Sequence, residues 1–506
     1  MRVASLALVA TAMTLSACSG ELSRPAADGA ADTARADQTP ADVSMSRDAD
    51  GGAIAIADAD ADASSGRPDQ SQLTTYLLQK LRAFPTALGF GKHTTGGRGG
   101  KVVLVTNLNT SGVGSLDAAL KMTGARTIVF TVGGTIRYSG SAYPVVPPGS
   151  GDLTIAGETA PGDGILIRGG RLRIEAGNVI VRHLRVRQDP ANSTGTNDDA
   201  VTLDGTVNGP ITNLILDHVS ISYGLDGNLD IRNTRDCTVQ YSLFTANDKS
   251  NLINANTKDL SYLRNIFALV HERAVRANTI AHLDLTYEMI NNYVYGVNWP
   301  GGPSEGLKVT VENNVCEASN DYAVQSSSFV SLTAPNPANN EPNTIGNTYL
   351  YVSGNDLGDA YSNALKPSID AKYIFSKPLY RSEYMPLPTS GLKAMLVDSC
   401  GAYHTLPQGL DSVDAAVIAN IKAKTGTIAY SGPFPSLNGG SAPADANSDG
   451  IPDAFAAQHG ISSPTQIKTD WDFGSYKVRN SAGYTALEMY LFSLTGDLIA
   501  GADGTL

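Results

Sequence analysis

Five ten-residue stretches decide the fold: Asn213–Ser222 (NLILDHVSIS), Asp236–Thr245 (DCTVQYSLFT), Asp259–Ala268 (DLSYLRNIFA), Leu285–Val294 (LTYEMINNYV) and Lys308–Glu317 (KVTVENNVCE). They are versions of one unit. Aligning Val219, Ser242, Asn265, Asn292 and Asn314 gives spacings of 23, 23, 27 and 22. Asn178–Arg187 (NVIVRHLRVR) is an earlier copy, before a longer insertion. A period near 23 with short β-branched runs and no intervening helix predicts an all-β fold, a right-handed single-stranded parallel β-helix. Its coils stack around one shared apolar interior. Asn265, Asn292 and Asn314 then fall at the same bend, where stacked side-chain amides can bond turn backbone between coils. A leucine-rich repeat lacks its consensus here, and β-sandwiches do not repeat their sequence.

Outward from this repeat, Val102–Thr106, Thr127–Thr131, Leu153–Ala156 and Ile165–Arg168 read as further short strands between Gly, Asn and Asp turns. Leu73, Tyr76, Leu77 and Leu81 recur at helical spacing, which predicts a short N-terminal capping helix over Gln70–Ala83. The β-helix domain is placed at 71–435 and a C-terminal module at 436–506.

The chain has 506 residues, 42% hydrophobic and 17% charged. After the first twenty residues no apolar run reaches membrane-spanning length, which excludes a polytopic membrane protein. The net charge of −12 argues against a nucleic-acid partner. It also means that an acidic substrate would be repelled unless local Arg and Lys or a bridging cation hold it. Four Cys are too few for a disulfide scaffold. Cys237, Cys316 and Cys400 read as buried small apolar residues.

Residues 1–18 form an export signal, with Arg2 ahead of the apolar Val3–Leu15. Leu15-Ser16-Ala17-Cys18 resembles a bacterial lipoprotein signal, which implies lipidation at Cys18, and Ser19 resembles outer-membrane sorting. The expected location is the cell surface or periplasm, or the medium if Cys18 is not lipidated. The only membrane contact is then that anchor. Residues 19–70 carry 11 acidic and 4 basic side chains and almost no large apolar ones. Such a segment cannot bury enough to offset its ordering entropy and reads as a disordered tether, spanning roughly 40 Å as a flexible coil.

Carboxylates cluster on the repeat. Asn197, Asp198 and Asp199 share one loop-to-strand junction, and Asp226 and Asp230 lie one coil further on. Coils stack at about 4.8 Å, so these oxygens can converge, and such a set suits a hard cation, Ca²⁺ above all. Asp is also simply common in turns. About two coils after the Asp226–Asp230 pair come Arg273 and Arg276, with Lys249 between. Two guanidinium groups and an ammonium beside a carboxylate cluster suit a polyanion bound through its carboxylates.

At this point the sequence resembles the pectate lyases of polysaccharide lyase family 1. The resemblance rests on residues 83–120 (AFPTALGFGKHTTGGRGGKVVLVTNLNTSGVGSLDAAL), 126–136 (RTIVFTVGGTI), 153–170 (LTIAGETAPGDGILIRGG), Asp217-His218, the Arg273–Arg276 block and 401–427. It spans about 83–430. By this resemblance Asp199, Asp226 and Asp230 are calcium ligands. Asn197 takes a ligand place where the family has Asp, with one charge fewer. Arg273 is the catalytic base, and Lys249 and Arg276 bind substrate. Val275 replaces the family's Pro between the two Arg residues, which leaves the local geometry open. The implied activity is calcium-dependent β-elimination in polygalacturonate, giving 4,5-unsaturated oligogalacturonates, by a monomer with an alkaline optimum. A β-helical hydrolase and a non-catalytic surface binding protein are the alternatives.

Asp445, Asn447, Asp449 and Asp453 alternate around Gly450 as in an EF-hand-like loop, but Ala456 stands where an EF-hand needs its final Glu. The loop, followed by Gly483–Glu488, resembles short Asp-rich calcium motifs that often follow this lyase domain. It is expected to hold a second, structural Ca²⁺.

Overall fold

The computed structural model describes residues 81–191, 198–254, 256–278, 285–334 and 348–500. The export signal with Cys18, the tether and Asn197 lie outside them. So does the predicted capping helix apart from its last three residues, which are not helical.

The chain winds as a parallel β-helix with three faces. The first face holds ten parallel strands, from Lys101–Val105 to Tyr349–Ser353. Leu214, Cys237, Leu260, Tyr287 and Val309 stand in one column across it. That column lies five residues before the aligned Val219, Ser242, Asn265, Asn292 and Asn314, so the repeat register is the strand register. The predicted strands Leu153–Ala156 and Ile165–Arg168 appear at those bounds, while the first two begin one residue earlier, at Lys101 and Arg126.

The second and third faces merge into one sheet, because Ile266–Ala277 runs round the corner between them. Its first half pairs with Leu243–Lys249 and its second half with Asn251–Asn254. Parallel crossovers of this kind are right-handed.

The bend after the first face carries the expected ladder. Asn265 Oδ1 accepts from Ser242 N (3.0 Å), Asn292 Oδ1 from Asn265 N (2.9 Å) and Asn314 Oδ1 from Asn292 N (2.8 Å). The ladder continues to Asn355, whose Oδ1 accepts from Asn314 N (3.0 Å). Asn265, Asn292 and Asn314 are buried and Asn355 is half-buried, and each one pairs backbone that would otherwise be orphaned where the chain leaves a strand. Cys237, Cys316 and Cys400 are buried, as expected, and all three are free.

Two faces are covered on the outside. Ile180 and Ile215 point out from the first face, yet they are buried under Ile451, Trp471, Leu487 and Phe492 of the C-terminal segment and Phe84 of the N-terminal one. This accounts for the near-continuous apolar runs of that face, which alternation would have broken had one side met water. On the second face, Leu243, Ile266, Tyr293 and Tyr295 lie beneath the helices Leu392–Val397 and Ser412–Ala423. Arg187 fixes the second helix by bonding Asp411 and Asp414, both at 2.6 Å. The third face carries charged residues outward, and the candidate site lies there.

Candidate active site

The strand Leu229–Arg232 sits between Val201–Asp204 and Asn251–Asn254 on the third face. Its alternation sends Leu229 and Ile231 into the core and Asp230 and Arg232 outward. Asp230 pairs in register with Thr202 on one side and Leu252 on the other, and Leu252 pairs with Arg276. Arg276 therefore stands two coils from Asp230 in one outward row.

Asp199 and Asp226 come from the loops that lead into these strands. Asp226 N and Leu225 N both donate to the Asp198 carbonyl, which ties the two loops together. A Cβ at Gly227 would lie 2.3 Å from Asp199 Oδ1, so only glycine lets this loop pass so close to the carboxylate. Asp198 itself turns away to pair with Arg171.

The three carboxylates act on one another. Burial pushes Asp199 up to about 8, with repulsion from Asp230 and then Asp226 adding to it, while Arg232 and Arg273 pull the other way. Asp230 is also raised, chiefly by burial. Its Oδ1 is buried without a hydrogen-bond partner. Asp199 and Asp230 are desolvated carboxylates under mutual repulsion, Asp230 has an orphaned oxygen, and Asp226 acts on both; hard oxygens of this kind suit a divalent cation, although the three do not all approach within 4.8 Å of one another. Lys249 Nζ donates to Asp226 Oδ1 at 2.6 Å. Arg232 Nε donates to Asp230 Oδ2 at 2.6 Å.

Arg273 stands on a β-bulge. The register between Ile266–Ala277 and Trp299–Pro303 slips between Glu272 and Val275. Arg273 has φ +65°, left-handed backbone that a side chain adopts at a cost. The bulge lifts the guanidinium out of the ladder, where it is about a quarter exposed and reaches the field of Asp199. Val275, in place of the family's Pro, points into the core, and Arg273 and Arg276 both stay outside it. Arg276 is held by Nε to Asn278 Oδ1 (2.9 Å) and Nη2 to Ser304 Oγ (3.3 Å), with Thr333 also accepting.

The structure thus brings Asp199, Asp226, Asp230, Lys249, Arg273 and Arg276 together on one face. It adds Arg232, which sequence reasoning passed over. The signal was available: two residues after Asp230 in a strand is the same side. Asp445, Asn447, Asp449 and Asp453 lie apart from this face. Their carboxylates accept backbone N–H groups of their own loop: Asp445 from Asp449 and Gly450, Asp449 from Ile451, and Asp453 from Ala446.

Among the described residues, His183, Asp217 and His218 alone put three ligand atoms within 4.8 Å of one another. They do not form a metal centre. The two imidazoles are stacked, 4.9 Å apart and 17° from parallel, so their in-plane lone pairs do not converge. Asp217 is spent on Arg182 (2.9 Å) and Gln240 (2.8 Å).

A parallel β-helix with a charged outer face is the class that these features define. The chain is 31% identical over 436 residues to a probable pectate lyase C of Aspergillus terreus, covering 82% of this chain and 94% of that one. It is 32% identical over 432 residues to the corresponding protein of Emericella nidulans, covering 82% and 93%. The chain belongs to the pectate lyase family of polysaccharide lyases. No family model matches it. Among solved structures, the major cedar pollen allergen Jun a 1 overlays with a TM-score of 0.47 at 18% identity, covering 67% of this chain and 97% of that one. A pectate lyase structure overlays at 0.44 and 17% identity, covering 64% and 98%.

Proposed function

We propose that the chain is a calcium-dependent lyase that cleaves polygalacturonate by β-elimination at the third face. One observation carries the reading: three carboxylates, two of them desolvated, share that face with Lys249, Arg273 and Arg276. Asp199, Asp226 and Asp230 would hold the ion, with Asn197 as a further ligand. Calcium held there would supply electron withdrawal from the uronate carboxylate, which would make the adjoining C5 proton more acidic. Lys249 and Arg276 grip carboxylates of the polymer. Arg276 is already oriented by three polar contacts, so little ordering remains to be done when substrate arrives. Arg273 takes the C5 proton. The electron pair left at C5 forms the C4=C5 double bond, the C4–O bond breaks, and the departing oxygen takes a proton from solvent. A guanidinium is a base only when its cation is disfavoured, so activity rises toward alkaline pH.

The same reading has the enzyme exported as a monomer, anchored by a lipid on Cys18. In the same reading Asp445, Asn447, Asp449 and Asp453 would hold a second calcium ion, which would clamp the C-terminal segment.

The test is ultraviolet absorbance during digestion of polygalacturonate. Elimination produces a conjugated chromophore that rises with calcium, stops with EDTA and resumes when calcium is restored. Release of reducing ends without that absorbance would make the enzyme a hydrolase. Full activity in chelator would remove the ion from the reaction.

A further inference from the structure

The chain has two tryptophans. Trp471 is buried in the apolar cluster of the C-terminal segment, at 1% exposure. Trp299 is 47% exposed. A single exposed aromatic needs no explanation by itself. Its position is what makes this one informative. Trp299 pairs in register with Glu272, and Glu272 with Lys249. The three therefore form one row, a coil apart each, at the corner where the second face turns into the third face that carries the carboxylates. Arg273, on the bulge, follows Glu272 directly. Trp299 is thus the first large side chain beyond Arg273 on the side away from Asp199, about 4.8 Å further along the axis.

The strand beneath it is held closely. Gly301 and Gly302 let it lie against its neighbours: a Cβ on Gly301 would meet the Val275 carbonyl at 2.6 Å, and one on Gly302 the Ser331 carbonyl at 2.1 Å. Asn298 Oδ1 accepts from Gln325 N at 2.6 Å on the preceding side. The indole is presented from a pinned strand rather than from a loop tip.

We infer that Trp299 forms a binding subsite by stacking against the C–H face of a pyranose ring, one coil past Arg273. This rests on the polygalacturonate reading and names a further positioning residue within it. The chemistry is complementary. Lys249, Arg273 and Arg276 answer the carboxylates of a uronate chain, but its ring faces are apolar, and no other residue in the row offers them a flat apolar surface. Glu272, beside the indole, repels a uronate carboxylate and so turns that edge of the stacked ring away from itself.

The inference is tested in two ways. In the kinetic test, Trp299→Ala raises KM for polygalacturonate about tenfold, the loss expected from uncovering one aromatic–sugar contact, with kcat little changed. Trp299→Phe recovers most of the difference. In the optical test, Arg273→Lys protein with calcium is titrated with polygalacturonate. Its indole emission changes saturably, and the change disappears when Trp299→Phe is added, since buried Trp471 does not sense the groove. An unchanged KM in Trp299→Ala, or an emission change that survives Trp299→Phe, overturns the subsite. Wild-type protein that forms no ultraviolet-absorbing product overturns the lyase reading instead. The titration still reports whether the polymer stacks on Trp299.

Discussion

Asp230 and Arg276 stand in one outward row of the third face, two coils apart, with Leu252 between them. Strand stacking alone sets the distance between Asp230, proposed to hold the ion, and Arg276, proposed to hold substrate. Arg276 is fixed by Asn278, Ser304 and Thr333 and does not have to be ordered by substrate. Arg276→Ala is expected to raise KM about tenfold or more, the worth of a charged hydrogen bond, with a smaller effect on kcat. Steady-state kinetics on polygalacturonate check this.

Arg273→Lys keeps a positive charge on the bulge but shortens its reach. Turnover should fall by about a hundredfold or more, as expected for loss of a positioned base, while polygalacturonate still binds. Product absorbance and equilibrium binding measured on the same preparation separate the two. Near-normal turnover would place the base elsewhere.

The ladder supports stability rather than chemistry. Asn265 accepts from Ser242 N, and its amide donates to the Val239 carbonyl (2.9 Å) and Asn292 Oδ1 (3.0 Å). Asn265→Ala leaves buried backbone unpaired and should cost roughly 2–4 kcal/mol. Urea unfolding reads the loss. Activity per folded molecule should change little, because the bend lies away from the third face.

Glu158 gives the fold a pH dependence of its own. Burial pushes its carboxyl from 4.5 up to about 7, against the pull of Arg182, whose Nη1 lies 3.8 Å from Glu158 Oε1. A carboxyl raised on folding binds more protons in the native state than in the unfolded one. Its contribution to stability is therefore present at low pH and lost as pH rises from about 4.5 to about 7. Glu158→Gln should flatten the change in Tm across this range and raise Tm at about pH 8 by about 1–3 °C. An unchanged Tm profile would show that the group does not titrate there.

Much of this was legible in the sequence, and the reasons are physical. Each coil must bury the same apolar positions as the last, so the aligned Asn and Ser residues report strand register directly. Asp199, Asp226, Asp230, Lys249, Arg273 and Arg276 share a face because coil stacking converts sequence period into proximity. What was missed depends on contacts from outside the period. Asn355 extends the ladder after a gap of 41 residues, which hid it from a search for spacings near 23. Which face stays open depends on segments far along the chain, such as Ser412–Ala423, and no repeat unit encodes them. Nothing in His271–Arg276 signals that Arg273 takes a positive φ, because the bulge arises from how this coil meets Trp299–Pro303. The tether, Cys18 and Asn197 lie outside the described residues.

The most direct test of the central claim is mass spectrometry of the two fragments cut from one defined oligogalacturonate. Elimination adds no water across the broken bond. The account predicts fragment masses that sum to that of the intact substrate, with the unsaturated ring at the new non-reducing end. A sum heavier by one water molecule would contradict it.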